Sequence, residues 1–259
     1  MITLLNRFDD KHIIDLEDIL EITSKYVRDN GVESSFRDVS FTKDDRIISD
    51  YNFNNSEISF NMEQLLNVSK QRAEELKKEY DIDDKYESYF INYRILYHIY
   101  KELEHVSQKS RLNREKESIE NYLIDLSINM KNSNRDFFNE NHLLIPSEID
   151  ADNVGLSTAY TLLSYTKLPS REANIVQLEY LKRLLLNYDR KNSYQVTAPI
   201  DILYTKDSSI DSNKINELLD ASKYSKISRM NLGLPITTKE YDNVENELVK
   251  RKIKIKHSI

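Results

Sequence analysis

No cysteine occurs in this chain of 259 residues, so disulfides, thiolate catalysis and cysteine-ligated zinc are all excluded and an intracellular setting is the default. Only three glycines and four prolines are present. So few breakers cannot supply a phosphate-cradling loop or a dinucleotide fingerprint, and together with long amphipathic runs they predict a helix-dominated protein. No serine-hydrolase elbow, internal repeat or low-complexity tract is found either. No apolar run approaches the ~20 residues of a membrane span. The first residues, MITLLNRFDDKH, are too briefly apolar and too soon acidic for a signal peptide. A soluble cytoplasmic protein is the expectation. Basic charge of the kind that phosphate contact needs is also lacking: the net charge of −7 argues against a general nucleic-acid binder.

What is present is a globular composition. Hydrophobic residues make up 39% and charged residues 31%, enough to bury a substantial core under a polar surface. The pattern along the chain predicts an α+β fold, helix-dominated, with a small N-terminal antiparallel sheet packed near a central buried helix. Residues 11–29 carry Ile13, Leu16, Ile19, Leu20 and Ile22 on one helical face, closed by Asn30-Gly31. Short strand-like runs at 35–41, 46–51 and 57–60 alternate with turn chemistry and place the sheet within 32–60. A second helix follows at 61–80, and Asp83-Asp84 would cap the central helix at about 86–108.

That central stretch, FINYRILYHIYKELEHVSQ, is apolar on most sides. Ile91, Ile95, His98, Glu102 and His105 recur at spacings of four and three on one face. Charged groups on a helix with so little solvent face need partners or a water-filled cleft. Later segments read as a continued or kinked helix over 111–130, a loop holding His142, a helix at 147–166 capped by Ser147, and an amphipathic helix from Ser170 to about Asn187. The irregular stretch 188–213 predicts a boundary between a domain at 1–187 and a C-terminal helical extension or subdomain at 188–259. That extension would hold a short helix at 214–222, a last helix from about Thr238 and a basic solvated end at 250–257.

The run Lys101-Glu102-Leu103-Glu104-His105-Val106-Ser107-Gln108 resembles the active-site helix of small zinc metallopeptidase-like proteins of bacteria and their mobile elements, whose motif reads His-Glu-Leu-x-His-x-x-Gln. Two histidines four residues apart on a helix lie about 6 Å apart along its axis and can share one zinc at ~2.0 Å. The resemblance implies Glu102 at the general-base position and His105 at a ligand position. The third ligand in that family comes from a glutamate in a context like Pro-x-Glu-x-x-Ala. Pro146-Ser147-Glu148 through Ala151 is similar, which implies Glu148; Pro169-Ser170-Arg171-Glu172-Ala173 offers Glu172 as an alternative. The family's small sheet lines the substrate cleft, which implies a peptide or protein bound by strand addition.

Lys101 departs from the pattern, for it stands where the first ligand histidine belongs. Deprotonating a lysine at neutral pH costs about 4 to 5 kcal/mol before any metal bond forms. The expected consequence is that the Lys101 ammonium takes the place of the lost metal and that no cofactor is bound, with zinc only if the site is functional. His98 is the alternative ligand. Seven residues, about 10.5 Å of rise, separate it from His105, too far for both to reach one ion easily, and recruiting Glu102 as a ligand would remove the base. The expectation is a degenerate zinc metallopeptidase homologue, against two others: an active zinc peptidase with an unusual ligand set, and a helical interaction or structural protein in which Lys101, Glu102 and His105 form a buried polar group. The oligomeric state is open.

Overall fold

The computed structural model describes residues 11–114, 146–177, 179, 180 and 183. The readings made for 115–145 and 188–259, including the loop with His142, the C-terminal helices and the basic end, lie outside these residues.

The first helix, α1 (Leu16–Asn30), begins at Asp15, whose carboxylate accepts from the amides of Glu17 and Asp18 while the Asp18 side chain returns to the Asp15 amide. This reciprocal box satisfies donors that the first turn leaves unpaired. Gly31, at φ 62, ends the helix in the left-handed conformation that glycine adopts without a steric penalty. His12, a residue the sequence gives no role, places Nε2 2.7 Å from the buried Asp18 carboxylate. Asn92 of the central helix accepts from the Ile14 amide and donates to the His12 carbonyl, which fixes the entry to α1 against the core.

Three short strands follow, β1 (Asp38–Phe41), β2 (Ser49–Asn52) and β3 (Glu57–Phe60), in the order β1-β3-β2. The sheet is mixed, not antiparallel as the alternating strands and turns suggest. β2 and β3 form the expected antiparallel hairpin, with Tyr51 opposite Ile58. β1 instead runs parallel to β3, with Ser40 opposite Ser59, because residues 42–48 carry the chain across to the far side of β3 rather than turning it tightly. Along β3 the apolar Ile58 and Phe60 are fully buried while Glu57 and Ser59 are not, the period-two pattern of a half-buried strand. On the opposite face Ser40 and Ser59 hydroxyls join at 2.8 Å.

Asn61 caps α2 (Met62–Tyr80), and Asp83 caps a single 3-10 turn, Asp84–Tyr86, that leads into α3 (Glu87–Arg114). α3 is the axis of the fold. Its apolar residues Phe90, Ile95, Leu96, Ile99, Leu103 and Val106 are buried around the helix, so its sequence lacks the one-sided pattern of a surface helix. Tyr26 of α1 meets Ser107 at 2.8 Å, and Lys109 ties the β2–β3 turn to α3 through the Phe53 carbonyl and the Ser56 hydroxyl. The last element with defined bounds, α4 (Pro146–Ser164), packs along α3 through Ala151, Gly155 and Ala159, small residues four apart. A further helical stretch, 170–177, follows a short turn. No described helix is long and apolar enough to cross a membrane.

Candidate functional site

The polar stripe of α3 meets the first turn of α4 and the start of β2. Because a helical rise places residues 101, 105 and 108 in one column, Lys101, His105 and Gln108 all face α4. Glu148 Oε2 lies 3.2 Å from Lys101 Nζ and 3.5 Å from His105 Nε2. His105 Nδ1 donates to Gln108 Oε1 at 2.8 Å, and Gln108 Nε2 in turn donates to the Ser147 carbonyl at 2.9 Å and to Asp150 Oδ2 at 3.2 Å. Gln108 thus fixes both the imidazole orientation and the register of α4. Phe53 sets its ring edge-on against His105, with centroids 5.9 Å apart.

On the sheet side, the Ser49 hydroxyl donates to Glu102 Oε1 at 2.8 Å and lies 3.3 Å from His98 Nδ1. Its one proton is committed to the carboxylate, so His98 Nδ1–H is the donor in the second contact. That leaves His98 Nε2 buried with no partner. Burial, reinforced by the Arg94 and Lys101 charges, depresses the His98 pKa far below its ordinary value and keeps the ring neutral.

Lys101 and His105 carry the opposite bias. Burial opposes the charge on Lys101, but Glu148 first, then Tyr97, Glu102 and Asp152, outweigh it and hold the ammonium above its usual range. Burial opposes protonation of His105 as well, and Glu148 overrides it to raise the pKa. A protonated His105 donates from both nitrogens, Nδ1–H to Gln108 and Nε2–H towards Glu148, so the glutamate is shared by two cations. Buried charges persist only when paired in this way.

A second ion group flanks the first. Arg111 Nη2 donates to Glu104 Oε1 at 2.7 Å and reaches Asp150 Oδ2 at 3.5 Å. Burial and the neighbouring Asp150 raise the Glu104 pKa to about 7 against the pull of Arg111. The folded protein therefore binds a proton at Glu104 that the unfolded chain has already released, and this contribution to stability is present at low pH and lost as pH rises from the unfolded value towards 7. Comparing the urea stability of wild type and Glu104→Gln at pH 5 and pH 8 measures the term. The wild type should lose about 2 kcal/mol more than the variant over that interval.

The residues singled out from the sequence thus have defined places. Lys101, His105 and Glu148 meet at one carboxylate oxygen, and Glu102 faces β2 through Ser49. His98 joins the Glu102 side rather than the Glu148 side. Glu172, buried in the 170–177 helix, pairs with Arg171 at 3.0 Å, and Arg171 also bonds the Tyr80 and Asp81 carbonyls at the end of α2. Ser49, Asp150, Asp152 and Arg111 were given no role by the sequence; the only signal for Asp152 is its position one turn after Glu148. Tyr97 donates to Asp152, which Arg183 Nε also contacts at 3.1 Å.

As a metal centre the site is short of donors. His105 and Glu148 offer two, Lys101 presents an ammonium with no lone pair, and catalytic zinc takes three protein ligands. Among the described residues no group of three histidine, aspartate or glutamate side chains is arranged to hold a metal ion. No protein-family model, curated protein or solved structure matches the chain.

Proposed function

We propose that this chain is a metallopeptidase-like pseudoenzyme in which the Lys101 ammonium replaces the metal, and that its former active-site cleft binds an extended peptide or protein segment. The observation that carries this reading is the convergence of Lys101 and His105 on Glu148 Oε2, at 3.2 and 3.5 Å. These are the three positions that would hold zinc in the peptidase pattern. An ammonium there neutralises the carboxylate as a metal would, but it cannot polarise a carbonyl or lower the pKa of a water. Glu102, held by Ser49, then has no metal-bound water to activate.

β2 supports the peptide-binding part. Among the described strands it lies at one edge of the sheet, it supplies the partner of Glu102, and it leads directly to Phe53 beside His105. An extended segment pairing with that edge would run over the polar stripe of α3.

The test uses the wild-type protein. After zinc loading and exhaustive dialysis it should retain no stoichiometric zinc and should not hydrolyse unfolded casein. Peptides from carboxymethylated casein should slow amide exchange over Ser49–Asn52. Retained zinc with hydrolysis would refute the pseudoenzyme, and protection confined to other segments would refute strand addition.

A further inference from the structure

Among the described strands β1 lies at the edge of the sheet away from β2, and its apolar side chains are incompletely covered. Val39 and Phe41 stand in register with the fully buried Ile58 and Phe60 of β3, so they share the face that packs on the helices. Val39 is nevertheless only half-buried, and Phe41 is 41% exposed. The opposite face of the sheet is acidic. Asp38 and Glu57 are neighbours on it, and Asp50 stands opposite Ser59 in the adjoining row. Asp38 accepts from the Val39 amide at 2.8 Å and Glu57 from the Asn55 side chain at 3.1 Å, but neither carboxylate is in an ion pair among the described residues.

The backbone of β1 is also open on this side. The Thr42 amide donates to the Phe60 carbonyl of β3 at 2.9 Å, and the alternation along a strand then turns the Val39 and Phe41 amides to the free edge. An edge that presents unpaired amides beside an exposed phenylalanine is one that folded proteins cover.

The chain carries a segment of matching pattern in its basic end. Lys252-Ile253-Lys254-Ile255-Lys256 alternates apolar and cationic residues with period two. With Lys254 set opposite Ser40, Ile253 and Ile255 fall on the face of Val39 and Phe41 whichever way the segment runs, and a lysine, 252 or 256, falls beside Asp38. A slip of one residue would place both isoleucines among the carboxylates. The stretch 184–251, at up to about 3.3 Å per residue, is long enough to bring the segment to β1 from any part of the fold.

We propose that residues 252–256 pair with β1 of the same chain as a fourth strand, with the isoleucines continuing the apolar face and the lysines meeting the acidic one. This edge is not the one assigned to peptide binding, and the proposal does not rest on that reading.

Because the chain has no cysteine, an introduced pair reports without competition. Mild oxidation of dilute full-length protein carrying Ser40→Cys and Lys254→Cys should join the two positions within one chain, since directly opposed residues lie within the ~4.4 to 6.8 Å that a disulfide spans. Ser40→Cys with Ile253→Cys puts the second thiol on the other face and should cross-link about tenfold more slowly or less. In a separate measurement, Ile253→Asp with Ile255→Asp should speed hydrogen exchange at the Phe41 amide by about tenfold or more. Unchanged protection of α3 amides shows that variant to be folded. The proposal is overturned if positions 253 and 254 cross-link to 40 equally well, if the link forms only between chains, which makes a second copy the occupant, or if Phe41 exchanges alike in the wild type and the folded aspartate variant. An acidic membrane or a nucleic acid as the sole partner of the basic residues gives the last of these results.

Discussion

Lys101→Met is expected to destabilise the protein by about 3 kcal/mol in urea unfolding at pH 7, the lower end for removal of one partner of a buried ion pair. Lys101 and Glu148 side chains are 15% and 10% exposed, so solvent cannot take over the role of the lost cation. The gross attraction of unit charges at their separation is roughly 5 kcal/mol in a medium of intermediate dielectric, most of it offset by the desolvation of both groups. What the single variant suffers is the abandoned carboxylate, relieved in part because His105 stays beside it. Lys101→Met with Glu148→Leu should therefore recover much of the loss, since it leaves no unpaired charge. A single variant within about 0.5 kcal/mol of wild type would mean that the pair is loose and exposed, as surface pairs are.

The second large effect is expected at Gly155. Helix propensity alone favours alanine over glycine in mid-helix by about 1 kcal/mol, so Gly155→Ala would stabilise an isolated α4. In the folded protein a Cβ at this position would come 2.7 Å from the Tyr97 carbonyl oxygen, 3.0 Å from the Lys101 amide and 3.2 Å from Lys101 Cβ. The first two neighbours are backbone atoms within a helix and cannot rotate away. α4 must move off α3, and the net change should be a loss of about 1 to 3 kcal/mol. The same displacement withdraws Glu148 from Lys101, so Gly155→Ala should also weaken the coupling between those residues in a double-mutant cycle. Stabilisation by the substitution would mean that the two helices are not in contact at this point.

Much of this arrangement could be read from the chain before its structure. The spacing of His98, Glu102 and His105 marked a polar stripe on an apolar helix, and Pro146-Ser147-Glu148 with Ala151 marked the later helix that carries Glu148; that the stripe divides, with Lys101, His105 and Gln108 towards α4 and His98 and Glu102 towards Ser49, came only with the structure. Helix ends were legible where they carry their own chemistry, as at Asn30-Gly31. The sheet was less so. Strands of four residues have too few alternations to declare a partner, and the parallel pairing of β1 depends on the path of 42–48, which contains no signal beyond turn-forming residues. Ser49 was missed as the residue that holds Glu102 because one serine in a short strand has no pattern.

The measurement that bears most directly on Lys101 as a replacement for metal is the zinc content of wild type and Lys101→His, purified in parallel, loaded with zinc and dialysed. Gln108 already holds the His105 ring with Nε2 towards Glu148, so a histidine at 101 would complete three ligands around one point. Stoichiometric zinc in Lys101→His and none in the wild type is the predicted result. Zinc in the wild type would contradict the replacement outright, and a folded Lys101→His protein that retains no zinc would reduce Lys101, His105 and Glu148 to a buried ion group of a helical structural protein.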